Sequence, residues 1–206
     1  MPPSTPLLHP QGYFRTTRSS DYLLSAFIVF LGYVIANVVA VYAVARWLLN
    51  RAEAAPAGVS RGLADMLPFL VVGVFLVSVV ALVVVASIMH LFSGSYADGR
   101  YRDAIAVAGW AYAPNVVGLG LQLAWTRYQL RGITFQADHP EAFQAEAEAL
   151  LGSSGAVDAV IGVGVIAWSV YVLAYGVAAT HEVDLRRTLG PALVVGIGAG
   201  VLNILF

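Results

Sequence analysis

Apolar residues in this chain run in long unbroken stretches, not in stripes one helix face wide. Five such stretches stand out, at 22–45, 66–92, 104–125, 157–179 and 189–206. Each is near the roughly 20 residues that a helix needs to cross a hydrocarbon core, and Arg or acidic residues fall in every gap between them. The pattern predicts an all-α polytopic membrane protein, a bundle of five transmembrane helices. The first run has Asn37 as its most polar member and ends at Arg46 and Trp47; the second is rich in Val and Leu, with Pro68 near its start. The third is made of Ala, Gly, Trp, Tyr, Pro, Asn and Gln. Residues 1–20 read as a short polar, Pro-rich N-terminal segment ahead of a membrane domain at 21–206. The first apolar run is far longer than the roughly 7–15 residues of a signal-peptide core, so it is expected to stay as an anchor.

The longest gap, 128–153, carries its own periodicity. Asp138 can cap a helix with Pro140 in its first turn. Phe143, Ala147, Leu150 and Leu151 then share one face, with Glu141, Glu146 and Glu148 mostly away from it. This predicts one short amphipathic surface helix; a solvated acidic connector is the alternative.

Composition agrees with the pattern. The chain is 59% hydrophobic and 11% charged, with mean hydropathy +0.78, whereas soluble domains are about 25% charged. A net charge of −1 gives nothing for nucleic acid to bind. With no Cys there is no disulfide, thiolate metal site or Cys nucleophile. No cofactor is expected. All 11 cations are Arg. With the N-terminus cytoplasmic, the inner set is Arg15, Arg18, Arg100, Arg102, Arg186 and Arg187, against Arg46, Arg51, Arg61, Arg127 and Arg131 outside. That slight inner excess orients the protein N-inside, C-outside, as a multi-pass protein of the cell membrane.

Candidate chemistry concentrates in the third run. Ala104, Ala108, Ala111, Asn115, Gly118 and Gln122 share a helix face, and small residues let backbones approach closely while buried amides need partners. Pro114 removes a backbone hydrogen bond and clashes with the carbonyl of Trp110, which predicts a kink. Tyr112, Pro114, Asn115 and Gln122 are therefore a candidate intramembrane polar site; the alternative is that these groups satisfy one another between helices. Ala192, Gly196, Gly200 and Asn203 form a small-residue packing face on the fifth run, for a helix of this chain or of a second copy. Arg100, Arg102, Asp103, His181, Arg186 and Arg187 cluster in the cytoplasmic loops as candidate lipid or partner contacts. The competing reading makes the arginines a positive-inside anchor and Asp103 a carboxylate favoured by the helix dipole.

Gly152-Ser153-Ser154-Gly155 matches the nucleophile motif of rhomboid-type intramembrane proteases. A serine nucleophile needs a base within about 3 Å. His181 lies at the far end of the same helix, roughly 40 Å away at 1.5 Å per residue. His90 is placed on the wrong side, and His139 sits in a loop that no spanning helix holds. The four His show no metal-ligating spacing, and the near-absence of charge in the spans argues against ion pumps. No enzymatic activity is expected.

Three stretches carry a family resemblance. Tyr13-Phe14-Arg15 leads into the first span; GRYRDAIAVAGWAYAPNVVG covers Gly99–Gly118; AWSVYVLAYGVAATHEVDLRRTL covers Ala167–Leu189. Together they resemble the Yip family (Ypt-interacting protein, YIP-one domain) in its prokaryotic form, over nearly the whole chain. The resemblance implies five spans, a cytoplasmic N-terminus, a Tyr-x-Pro feature matched by Tyr112-Ala113-Pro114, and a His after the fourth span matched by His181. Eukaryotic members bind Rab-type GTPases through a sizeable N-terminal region. About twenty residues are too few for such a docking unit, which argues against a GTPase partner here. The expected function is a non-enzymatic scaffold or membrane-organising role whose partners are membrane lipids, other membrane proteins or a second copy; the alternative is a permease or channel component with a polar path along the third helix.

Overall fold

A computed structural model describes residues 5–17, 19–50, 59–93, 99–134, 142, 145, 146, 149 and 155–205. Regular structure among them is helical throughout. In chain order the helices are α1 (Pro10–Thr16), α2 (Ser19–Leu49), α3 (Val59–Phe92), α4 (Tyr101–Trp110), α5 (Ala113–Gln129), α6 (Gly155–Thr180) and α7 (Leu185–Leu205). Asp21 stands in the first turn of α2 and Arg46 in its last, each sign where the helix dipole favours it. The helix α3 runs 34 residues, with Pro68 inside it.

Among the described residues, four stretches are long and apolar enough to cross a membrane: Asp21–Leu49, Asp65–Phe92, Tyr101–Gln129 and Gly155–Thr180. The stretch predicted as a fifth span, 189–206, falls on the 21-residue helix α7, which is not one of these four. Residues 142, 145, 146 and 149 are helical; the rest of the proposed amphipathic helix lies outside the described residues, as do His139, Ser153 and Ser154.

The tightly packed core sits towards one end of the bundle, the end where α2 begins and α6 stops. Tyr22, Ala26, Phe30 and Val34 are buried at every fourth position of α2. Tyr22 and Ala26 form one cluster with Ala86 and Met89 of α3, Ala104, Val107 and Ala108 of α4, Val172, Leu173, Ala174 and Val177 of α6, and Ala192 of α7. Away from that core the helices turn large apolar side chains outward: Phe69 is 79%, Val160 74% and Val77 70% exposed. Soluble monomers rarely show apolar surface on that scale, and hydrocarbon is the medium that suits it. The small-residue face of α7 packs within the chain. Ala192 is buried, and side chains added at Gly196 or Gly200 would press on Val170 or Ile166 of α6. The side chain of Asn203 is outside what is described.

Residues 5–16 dock on α6. Trp168 Nε1 donates to the Leu7 carbonyl at 2.8 Å, and the Tyr171 hydroxyl donates to the Leu8 carbonyl at 2.9 Å. Pro10 and Phe14 are buried. A Cβ at Gly176 would collide with Val107 and the Phe14 ring, so the bare backbone at 176 is what lets α1 and α4 close on α6. Trp168 stands twelve residues before the end of α6, about 18 Å along its axis at 1.5 Å per residue. The N-terminal segment thus lies along the bundle. Trp168→Phe keeps the ring and removes the donor. A hydrogen bond of this kind contributes about 1 kcal/mol, so the amides of α1 are expected to exchange hydrogen about fivefold faster, read by mass spectrometry, with α2 to α7 unchanged.

Candidate functional site

The predicted kink is a break in the third span. The helix α4 ends at Trp110, Ala111 and Tyr112 form a turn, and α5 opens with Pro114 in its first turn. The Asn115 N–H turns to the Tyr112 carbonyl at 3.1 Å. The Ala111 carbonyl is taken up by side chains instead: Ser169 Oγ donates to it at 2.9 Å and Asn115 Nδ2 at 3.3 Å, with Asn115 Nδ2 also 3.4 Å from Ser169 Oγ. The sequence pointed to a kink at Pro114 beside Asn115, but nothing in it signalled Ser169, 54 residues away. Tyr112 packs its ring on Phe30 and Tyr33, with centroids 5.4 and 4.7 Å apart. Pro114 is fully buried, and Gln122 lies half-buried two turns further along α5. A hollow of about 420 Å³ is lined by Leu121, Ala124, Trp125, Tyr128, Val157 and Ile161, an apolar set apart from Asn115.

A second polar cluster closes the packed end. Asp103, in the first turn of α4, is 8% exposed. Its Oδ1 accepts from the Tyr22 hydroxyl at 2.7 Å, and Arg102 Nε lies 3.7 Å from the same oxygen. Beside it His181 is fully buried, with Nε2 3.0 Å from His90 Nδ1 and Nδ1 3.0 Å from Thr180 Oγ1. Gly99 lies against the His181 ring, which a Cβ there would strike. The chain turns away at Glu182, whose φ of 53° is left-handed. Of the six predicted loop contacts, Arg100, Arg102, Arg186 and Arg187 face outward, whereas Asp103 and His181 are interior. The two histidines, scattered in sequence, are paired in space.

Burial lowers the pKa of His181, and the neighbouring His90 lowers it further, while Asp103 acts in the opposite direction. The unfolded chain therefore binds a proton at 181 more readily than the folded one. Stability is complete above the ordinary His value of about 6.5 and is lost as pH falls below it. Melting midpoints in detergent are expected to fall between pH 7.5 and 5.

The family model for the Yip1 domain matches residues 6–205. The chain belongs to the Yip1 family. Comparison with curated proteins and with solved structures gives no match. Both polar clusters and the α6 contacts of Leu7 and Leu8 in this Yip1 protein fall inside the matched range. At its opposite end Trp47, Asn50, Arg127 and Leu130 line a recess of about 250 Å³, with the Arg127 guanidinium 5.7 Å from the centre of the Trp47 ring. An Arg beside Trp at the end of an apolar helix suits a membrane–water boundary.

Proposed function

We propose that this Yip1-family protein is a non-enzymatic membrane scaffold with five crossings, N-terminus and His181 end towards the cytoplasm, C-terminus outside. It acts by contact: exposed arginines at 100, 102, 186 and 187 towards anionic lipid or partner proteins, and the outward apolar faces towards lipid, other membrane proteins or a second copy. The observation that carries this reading is the closure of polar groups at the kink. Asn115, Ser169 and the Ala111 carbonyl bond one another across α5 and α6, which is how polar groups join packed helices in hydrocarbon. A permeation path would line those groups with water.

Liposome flux tests it. Reconstituted protein should pass ions and small solutes no faster than protein-free liposomes, with Asn115→Leu the same. Flux in the wild type that Asn115→Leu abolishes would make the protein a permease. In parallel, replacing all four exposed arginines with Gln should reduce the anionic phospholipid and the proteins that co-purify from mild detergent.

A further inference from the structure

His90 of α3 and His181 after α6 form a contact whose hydrogen positions the surrounding bonds assign. Thr180 Oγ1 lies 3.1 Å from the Gly176 carbonyl and 3.3 Å from that of Val177. Carbonyls only accept, so the hydroxyl proton points to them. His181 Nδ1, 3.0 Å from the same hydroxyl oxygen, is then the donor to it. A neutral imidazole carries one N–H, so His181 Nε2 holds a lone pair, and His90 Nδ1, 3.0 Å away, must donate to it. That uses the single proton of His90 and leaves its Nε2 as the open acceptor. A first added proton at His90 Nε2 keeps every bond of the chain. A second, on His181 Nε2, sets two N–H groups and two like charges against each other across 3.0 Å.

The surroundings define where such a charge would fall. From α4, Tyr101 sets its ring edge-on to His90, with centroids 5.5 Å apart. Asp103, held by Tyr22 of α2, draws positive charge to His181. Arg100 and Arg102 are exposed at the start of α4; Glu182, Asp184, Arg186 and Arg187 are exposed on the turn and the start of α7; Arg15 and His9 are exposed on α1 and its N-terminal edge. An ionisable group inside a spanning segment is a functional candidate by default, His90 lies within Asp65–Phe92, and His is the side chain whose charge changes near neutrality.

We propose that the His90–His181 pair is a proton-operated clasp between α3 and the α6–α7 turn, closed with no proton or one added and opened when acidification charges both rings. The contact ties the end of α3 to the end of α6, and the Gly99 backbone closes over the His181 ring. Opening releases the turn that leads into Arg186 and Arg187 at the start of α7, so acid pH alters which cations this face presents. The burial that lowers the affinity of His181 for protons postpones that second charge to below the ordinary His range.

Nitrogen-15 spectra of labelled histidines in nanodiscs, from pH 8 to 4.5, read tautomer and titration directly. The expected result is an Nδ1–H tautomer for His181 at neutral pH and a His181 midpoint below the ordinary His value. In His90→Gln the His181 midpoint rises; in His9→Gln, at an exposed site, nothing changes. Spin labels at Leu91 and Arg187, both exposed, should hold one distance above the His181 midpoint and a longer, broader one below it. A His181 midpoint at or above the ordinary His value, an Nε2–H tautomer for His181 at neutral pH, or an unchanged label distance after His181 has titrated would overturn the clasp.

Discussion

Gly176→Leu is expected to lower stability by about 3 kcal/mol, the upper end of what overpacking a filled core costs. The position has no slack. A Cβ at Gly176 would meet Val107 and the Phe14 ring, and Val107 is fully buried, so relief requires α1 or α4 to move. Against a total of about 5–15 kcal/mol for a folded domain, that loss should appear as poor expression and a much lower melting midpoint in detergent. Gly120→Leu is the control, because open space surrounds Gly120; it should melt like the wild type. An unchanged midpoint for Gly176→Leu would mean that α1 and α4 do not close on α6.

Asp103→Leu has the next largest expected effect. It leaves the buried Tyr22 hydroxyl without the acceptor that now lies 2.7 Å away. Stranding a buried donor costs about 1–3 kcal/mol, and bonds to charged groups fall towards the upper figure. Asp103→Asn retains an acceptor oxygen and should cost less. Tyr22→Phe combined with Asp103→Leu should recover part of the loss, because neither polar group is then left behind. Thermal unfolding of the wild type, Tyr22→Phe, Asp103→Leu and the double variant gives the coupling; strict additivity would mean that the bond contributes nothing.

The helical, membrane-spanning character was legible because it rests on the length of apolar runs, a property of consecutive residues. Helix ends were less so. The second run begins at Met66, but α3 starts at Val59, because the run marks where hydrocarbon suits the chain and the hydrogen-bond ladder continues past Arg61 and Asp65. Pro114 announced the break between α4 and α5, since its missing N–H acts locally. Partnerships were not legible. Tyr22 and Asp103 lie 81 residues apart, His90 and His181 91, and local spacing carries no record of such pairs. Topology held a signal for the second pair: alternate spans end on the same side, which put His90 and His181 at one face. The docking of residues 5–16 left a signal too. Leu7, Pro10 and Phe14 recur at three- and four-residue steps, and the N–H of Trp168 and O–H of Tyr171 within an apolar run call for acceptors.

The account depends most on an odd number of crossings with the packed end on the cytoplasmic side. The chain has no native Cys, so single cysteines can be placed by Arg15→Cys, Arg186→Cys, Arg46→Cys and one appended after Phe206, then probed in sealed vesicles with a membrane-impermeant thiol reagent. The predicted result is labelling of positions 15 and 186 from the cytoplasmic side, and of position 46 and the appended cysteine from the other. Labelling of position 15 and the appended cysteine from the same side would contradict it.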